Sequence, residues 1–334
     1  MIGTATSPTL RAHSMLQQNV AGIKQRLETA RTEAVTGVAA DIGRAVGGDT
    51  AKVNMLSEAI DYARDRTTVL DFEGGRMSTA QLALEAVRGG ASETLDALRF
   101  AENSTQPATK AVATETARGA LEDTVSRLNA SYGGRPLFGG DSGLSPMGGS
   151  GELLDAVRDI FAANPGDTAA ALAEVETWFD DPAGGFQTGF FRGGDGDAPT
   201  VELNKGERAA TSVRGDDRSL RDTMRGLAIA ALAGEATDDG ARDRMNDAST
   251  GILSTAGGDV LDLQSRLGVS EERVANALAE RGAEVTTLSI AYNGLTSVDQ
   301  AEAATEMRLL ESQLEASYLT TSRMANLTLT NYLR

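Results

Sequence analysis

Two apolar stripes with the same seven-residue period, one near each end of the chain, constrain its fold more than any other feature. Leu16, Val20, Ile23, Leu27, Ala30 and Ala34 recur at alternating steps of four and three, and so do Met307, Leu310, Leu314, Ser317, Thr321 and Met324. A repeat of 3.5 residues is the seam of a helix that packs lengthwise against another helix. Neither stripe has a short-loop partner beside it in sequence, so the economical solution pairs the two ends with each other and brings the termini together. Alanine, serine and threonine at seam positions bury little area, at roughly 25 cal/mol per Å². The pair is therefore expected to be loosely ordered in the free chain and fixed when neighbouring subunits add surface.

Inside these ends the helical period continues. Ser7-Pro8 is a good start signal for the first helix, and Gly37 a good stop. Val53, Leu56, Ile60, Ala63 and Leu70, then Leu84, Val87, Leu95 and Leu98, mark a second helical stretch. Gly74-Gly75 and Gly89-Gly90 weaken it, since each glycine costs about 1 kcal/mol against alanine. A third helix through Leu121, Val125 and Leu128 is expected to stop at Gly133-Gly134, and one through Val274, Leu278 and Val285 to stop or kink at Asn293-Gly294. Ser297 and Gln300 read as a capping box opening the last helix, with Asp299 in its first turn. From 135 to 240 glycines and aromatics cluster instead. That stretch predicts helices around Leu153–Phe161 and Ala169–Phe179, and strands at Gly189–Phe191, Thr200–Leu203 and Ala210–Val213. The fold expected is mainly α, a long helical hairpin or coiled-coil stalk formed by both chain ends with a small α/β insertion in the middle. Residues 1–45 and 296–334 would form a terminal helical assembly domain, 46–134 and 241–295 the stalk, and 135–240 the insertion.

Composition removes most chemistry. The 334 residues contain no cysteine, which leaves no disulfide, zinc–thiolate or iron–sulfur site and no thiol nucleophile. His13 is the single histidine, so a His-His metal pair is impossible within one chain. Against 31 Lys+Arg stand 48 Asp+Glu, a net charge of −17, and no basic run offers a foothold for nucleic acid. Asp195-Gly196-Asp197 lacks the twelve-residue calcium loop with its closing glutamate and reads as a solvated turn. No glycine pair is followed by the Lys-Ser/Thr of a phosphate loop. No stretch is long and apolar enough for membrane insertion, and residues 1–15 carry no cleavable secretory signal. No catalytic residue, metal site or cofactor is expected, and the chain is expected to build structure rather than catalyse.

The local sequences resemble the flagellin family. Asp299, Glu302, Ala303 and Thr305 fit its Asp-x-Ala-Glu-Ala-x-Thr opening, Gln313, Leu314, Ala316 and Ser317 its Gln-Leu-x-Ala-Ser centre, and Leu329, Tyr332 and Leu333 its leucine-rich ending. Thr36-Gly37 is similar to the pair that closes the family's first helix. Gly134-Arg135-Pro136-Leu137-Phe138-Gly139-Gly140 resembles the stretch with which members at the hook–filament junction leave their helices. The resemblance implies an extracellular flagellar protein, exported through the flagellum's own channel without a cleaved signal. It implies self-association in a ring, with a neighbouring hook-associated junction protein and flagellin as further partners. The assembly interface would then comprise Leu16, Val20, Ile23, Leu27, Met307, Leu310, Leu314, Met324, Leu327, Leu329 and Leu333. A flagellar export chaperone would bind the last helix through Leu310, Leu314, Tyr318, Leu327 and Leu333. A filament flagellin, or a secreted coiled-coil adhesin or effector, are the alternatives.

Overall fold

The computed structural model describes residues 8–332, except 105, 195, 197 and 198, with the side chains of 14–323. The Ser7 cap and Leu333 lie outside the described residues, as do Asp195 and Asp197 of the acidic turn. So do the side chains of His13, Met324, Leu327 and Leu329.

The chain is mainly α, with long helices at both ends and two small two-stranded sheets in the middle. In order come α1 (Pro8–Thr36), the short α2 (Ile42–Ala45), α3 (Ala51–Glu102) and α4 (Pro107–Leu128), then the hairpin β1 (Ser131–Tyr132) and β2 (Arg135–Pro136). Next are α5 (Ser150–Ala163), α6 (Thr168–Asp180), a π-turn at Phe186–Phe190, and the hairpin β3 (Thr200–Asn204) and β4 (Glu207–Ala210). Then follow α7 (Arg218–Leu232), α8 (Asp239–Thr296) and α9 (Gln300–Tyr332). No helix of the described residues is long and apolar enough to cross a membrane. The chain forms two compact units, residues 1–65 with 282–334, and residues 66–281. Helices α3 and α8 contribute residues to both.

In the unit of the chain ends, Gly37 takes φ +70°, a left-handed conformation that closes α1 at no steric cost. The last helix begins differently from the expected capping box. Its cap is Asp299, whose carboxylate accepts from the Ala301 and Glu302 N–H groups. Ser297 instead sits in an antiparallel bridge with Val38. Asn293-Gly294 neither stops nor kinks the preceding helix, since α8 runs on to Thr296.

In the unit of residues 66–281 the helices α4, α5, α6 and α8 pack around α7. Thirteen of the fifteen α7 residues are buried, from Leu220 and Met224 to Asp222 and Arg225. The sequence reading passed over this helix, although Leu220, Met224, Leu227 and Ala231 recur at helical spacing with Arg218, Arg221, Asp222 and Arg225 on another face, and the structure buries both faces. Helix α3 passes through both of its glycine pairs unbroken. At Gly75 the reason is close approach: a Cβ there would lie 2.3 Å from the Tyr132 hydroxyl. Helices α3 and α8 are tied by a reciprocal glutamine pair, Gln81 donating to the Gln264 carbonyl at 2.9 Å and Gln264 to the Gln81 carbonyl at 3.5 Å.

Three local expectations are corrected. Helix α4 ends at Leu128, five residues before Gly133-Gly134, which form the β1–β2 turn. The segment 189–191 is no strand, because Phe186 and Phe190 turn inward through the π-turn onto Trp178 and Phe179. Gly185 lets that cluster close, since a Cβ there would overlap the Trp178 indole. The second strand of the hairpin is Glu207–Ala210 rather than Ala210–Val213, because Gly206 at φ +83° makes the turn tight and pairs Thr200 with Ala210.

Candidate assembly interface

The unit of the chain ends is built on α1 running antiparallel to α9. At one end the chain leaving α1 pairs with the chain entering α9: Ala39 N–H donates to the Thr296 carbonyl at 2.8 Å and Val298 N–H to the Gly37 carbonyl at 3.0 Å. Further along, Arg26 reaches Glu306 at 2.8 Å and the Lys24 ammonium stands 5.7 Å from the Tyr318 ring centre. This register sets Leu27 and Ile23 at the level of Leu310 and Leu314. The polar links add little, since exposed ion pairs are worth about 0–1 kcal/mol, and both Arg26 and Glu306 are largely exposed.

The seam itself is only partly closed. Leu310, Ala303 and Ala30 are buried, whereas Leu16, Val20, Ile23, Leu27, Met307 and Leu314 are half-buried. Tyr318 is exposed. The structure thus brings the described seam residues of both stripes to one helix pair, but that pair covers them incompletely. The sequence reading missed a second apolar set: Met15, Val35, Leu309 and Leu319 lie off the seam and are each more than half exposed. The signal was legible as apolar residues at heptad positions that a two-helix seam has no use for. Further exposed apolar groups of this unit, Met55, Tyr62 and Ile290, belong to α3 and α8.

The unit of residues 66–281 carries the charge chemistry. Arg158 of α5 holds Glu235 through two hydrogen bonds, at 2.7 and 3.2 Å, and Arg118 of α4 approaches the same carboxylate at 3.7 Å. Hydrogen bonding by Arg158 holds the Glu235 carboxyl below the usual range, and the same bonds raise Arg158. Between α6 and α7 lies a network of Asp180, Arg221, Arg225 and Asp222. Burial pushes the Asp222 carboxyl up, and the Arg225 guanidinium 2.8 Å away only partly offsets this. Burial likewise lowers Arg76, whose guanidinium donates to the Pro136 carbonyl and fixes the β1–β2 hairpin. A cavity of about 190 Å³ opens beside Arg158, floored by Phe161, Leu232 and Met245. None of these groups is placed as a nucleophile with a base. Among the described residues no group of three His, Asp or Glu side chains could hold a metal ion.

Comparison with known proteins gives two findings. Residues 250–333 match the sequence profile of the bacterial flagellin C-terminal helical region. No curated protein matches the sequence. The fold is similar to that of a Vibrio parahaemolyticus protein described as a flagellar hook-associated protein, with a TM-score of 0.50 at 12% identity, over 73% of this chain and 96% of that one.

Proposed function

We propose that this chain is a non-enzymatic structural subunit of the bacterial flagellum, a member of the flagellin family that works through packing of its terminal helices. The observation that carries this reading is the pairing of α1 with α9 along a half-covered seam, with α9 lying in the segment that matches the flagellin C-terminal helical region. A seam left open in one chain supports completion by the next, because each fully buried leucine gains about 1.5–3 kcal/mol over an exposed one. Leu16, Val20, Ile23, Leu27, Met307, Leu310 and Leu314 would form the inner contact of that assembly, continued by Met324, Leu327, Leu329 and Leu333.

Within the family we infer the position between hook and filament. The Gly134–Gly140 stretch and the similarity to a hook-associated fold support it. The subunit would then form a ring, contacting a hook-associated junction protein on one side and flagellin on the other. Before export a chaperone would shield the last helix around Leu310, Leu314 and Tyr318. Residues 1–45 with 296–334 serve assembly in this reading, and 135–240 form the insertion.

Immunogold electron microscopy with an antibody against residues 150–240 tests it. Gold confined to the base of the filament is the expected result. Labelling along the whole filament would make the chain a filament subunit, and no flagellar labelling despite detectable protein would overturn a flagellar role altogether.

A further inference from the structure

Among the described residues the hairpin β3–β4 belongs to no larger sheet. Two strands alone are marginally stable in water, and both strands here are edges. Its apolar contribution is three side chains that join the core, Val201, Leu203 and Ala209, while Thr200, Glu202 and every residue from Lys205 to Arg208 are exposed. Three arginines from two helices hold the rest. Arg66 of α3 donates to the Glu202 carbonyl, and Arg281 of α8 to the Asn204 side-chain oxygen. Arg273, two turns earlier on α8, donates to both the Glu207 carboxylate at 3.0 Å and the Arg208 carbonyl at 3.2 Å. At the base, Thr211 N–H donates to the Pro199 carbonyl at 2.9 Å and closes the loop. Arg66 and Arg281 are also the first and last residues of their unit in sequence, one on each long helix.

We propose that β3–β4 is a releasable strap, latched across α3 and α8 by Arg66, Arg273 and Arg281, that opens without unfolding the core beneath it. Guanidinium bonds to carbonyls and to an exposed carboxylate are directional and solvent-accessible, so the latch yields to salt and competing anions where a packed core does not. The core that stays closed is centred on α7 and the aromatic cluster of Trp178, Phe179 and Phe186. Opening frees α3 and α8 from a shared tie at this level, which makes the strap a local control on the stiffness of the two longest helices.

Lys205 at the turn supplies the assay, since it is exposed and followed by Gly206. The full chain and its R66A/R273A/R281A variant are digested briefly with trypsin, and cleavage after Lys205 is timed by mass spectrometry. Emission of Trp178, the chain's only tryptophan, reports the core. Expected is cleavage at least about tenfold faster in the variant, with Trp178 emission unchanged, and an intermediate rate for Arg273→Lys, which keeps charge but loses the fork. Adding 1 M salt should speed cleavage of the native chain. Equal rates in native and triple variant would overturn the latch. Loss of the Trp178 signal together with cleavage, or failure of the variant to fold, would overturn the strap's independence.

Discussion

In residues 66–281 helices find their neighbours inside the chain, whereas in the unit of the chain ends they find only part of them. Among the described side chains, 48 of the 56 buried apolar residues lie in the first unit and eight in the second, although the second holds more than a third of the sequence. Charge divides in the same sense. The unit of the ends has 10 Lys+Arg against 13 Asp+Glu and is nearly neutral, and the other has 21 against 35. A filled, acidic unit is self-sufficient and repels its copies. A near-neutral unit with an open apolar seam is suited to close contact with other subunits. The lesson is that filled core and open apolar seam have been placed in different parts of one chain.

The sharpest break of this comparison is to damage each unit in the same way. Leu227→Ala, at a fully buried position of α7, should cost about 2–5 kcal/mol, read as a lower urea midpoint by Trp178 fluorescence. Leu314→Asp, at a half-buried seam position, should leave that midpoint almost unmoved yet abolish flagellar assembly. Wild-type motility in such a strain would remove the seam from the assembly. Amide exchange sharpens the contrast further. Residues 14–35 and 300–323 should exchange at least about a hundredfold faster than 218–232, a gap near 2.7 kcal/mol in local opening. Uniformly slow exchange in both would mean that the ends are complete without partners.

Smaller effects probe the electrostatics. Glu235 titrates low in the folded chain, so its contribution is present above its unfolded pKa of about 4.5. It is lost as pH falls through the lower folded value. Glu235→Gln should flatten the acid limb of the stability curve, by less than about 1 kcal/mol because the group is substantially exposed. Asp222 acts oppositely: its raised pKa means that ionising it on the way to neutral pH costs stability. Arg26→Ala should be the mildest change, about 0.5 kcal/mol or less in the monomer, and a larger loss would show that α1 and α9 depend on their charge pair more than on their seam.

Periodicity by itself determined the mainly helical class, the seams Leu16–Ala34 and Met307–Thr321, their pairing with each other, and the helices around Leu153 and Ala169. These are properties of one face of one helix, and a spacing of 3.5 states them directly. The absence of cysteine and the lone His13 narrowed the chemistry in the same direct way. Tertiary structure alone decided what depends on two distant segments meeting. Helix α7 needed Asp180 and the packed helices around it before the burial of its polar face, with Asp222 and Arg225, made sense, and Gly75 and Gly185 needed Tyr132 and Trp178 against them to be read as seats rather than breaks. The cap passed from Ser297 to Asp299 because Ser297 was taken up in a bridge to Val38, 259 positions away. Local spacing records what a residue offers, whereas only the folded chain settles which offer is taken, since each backbone donor is used where its partner actually stands.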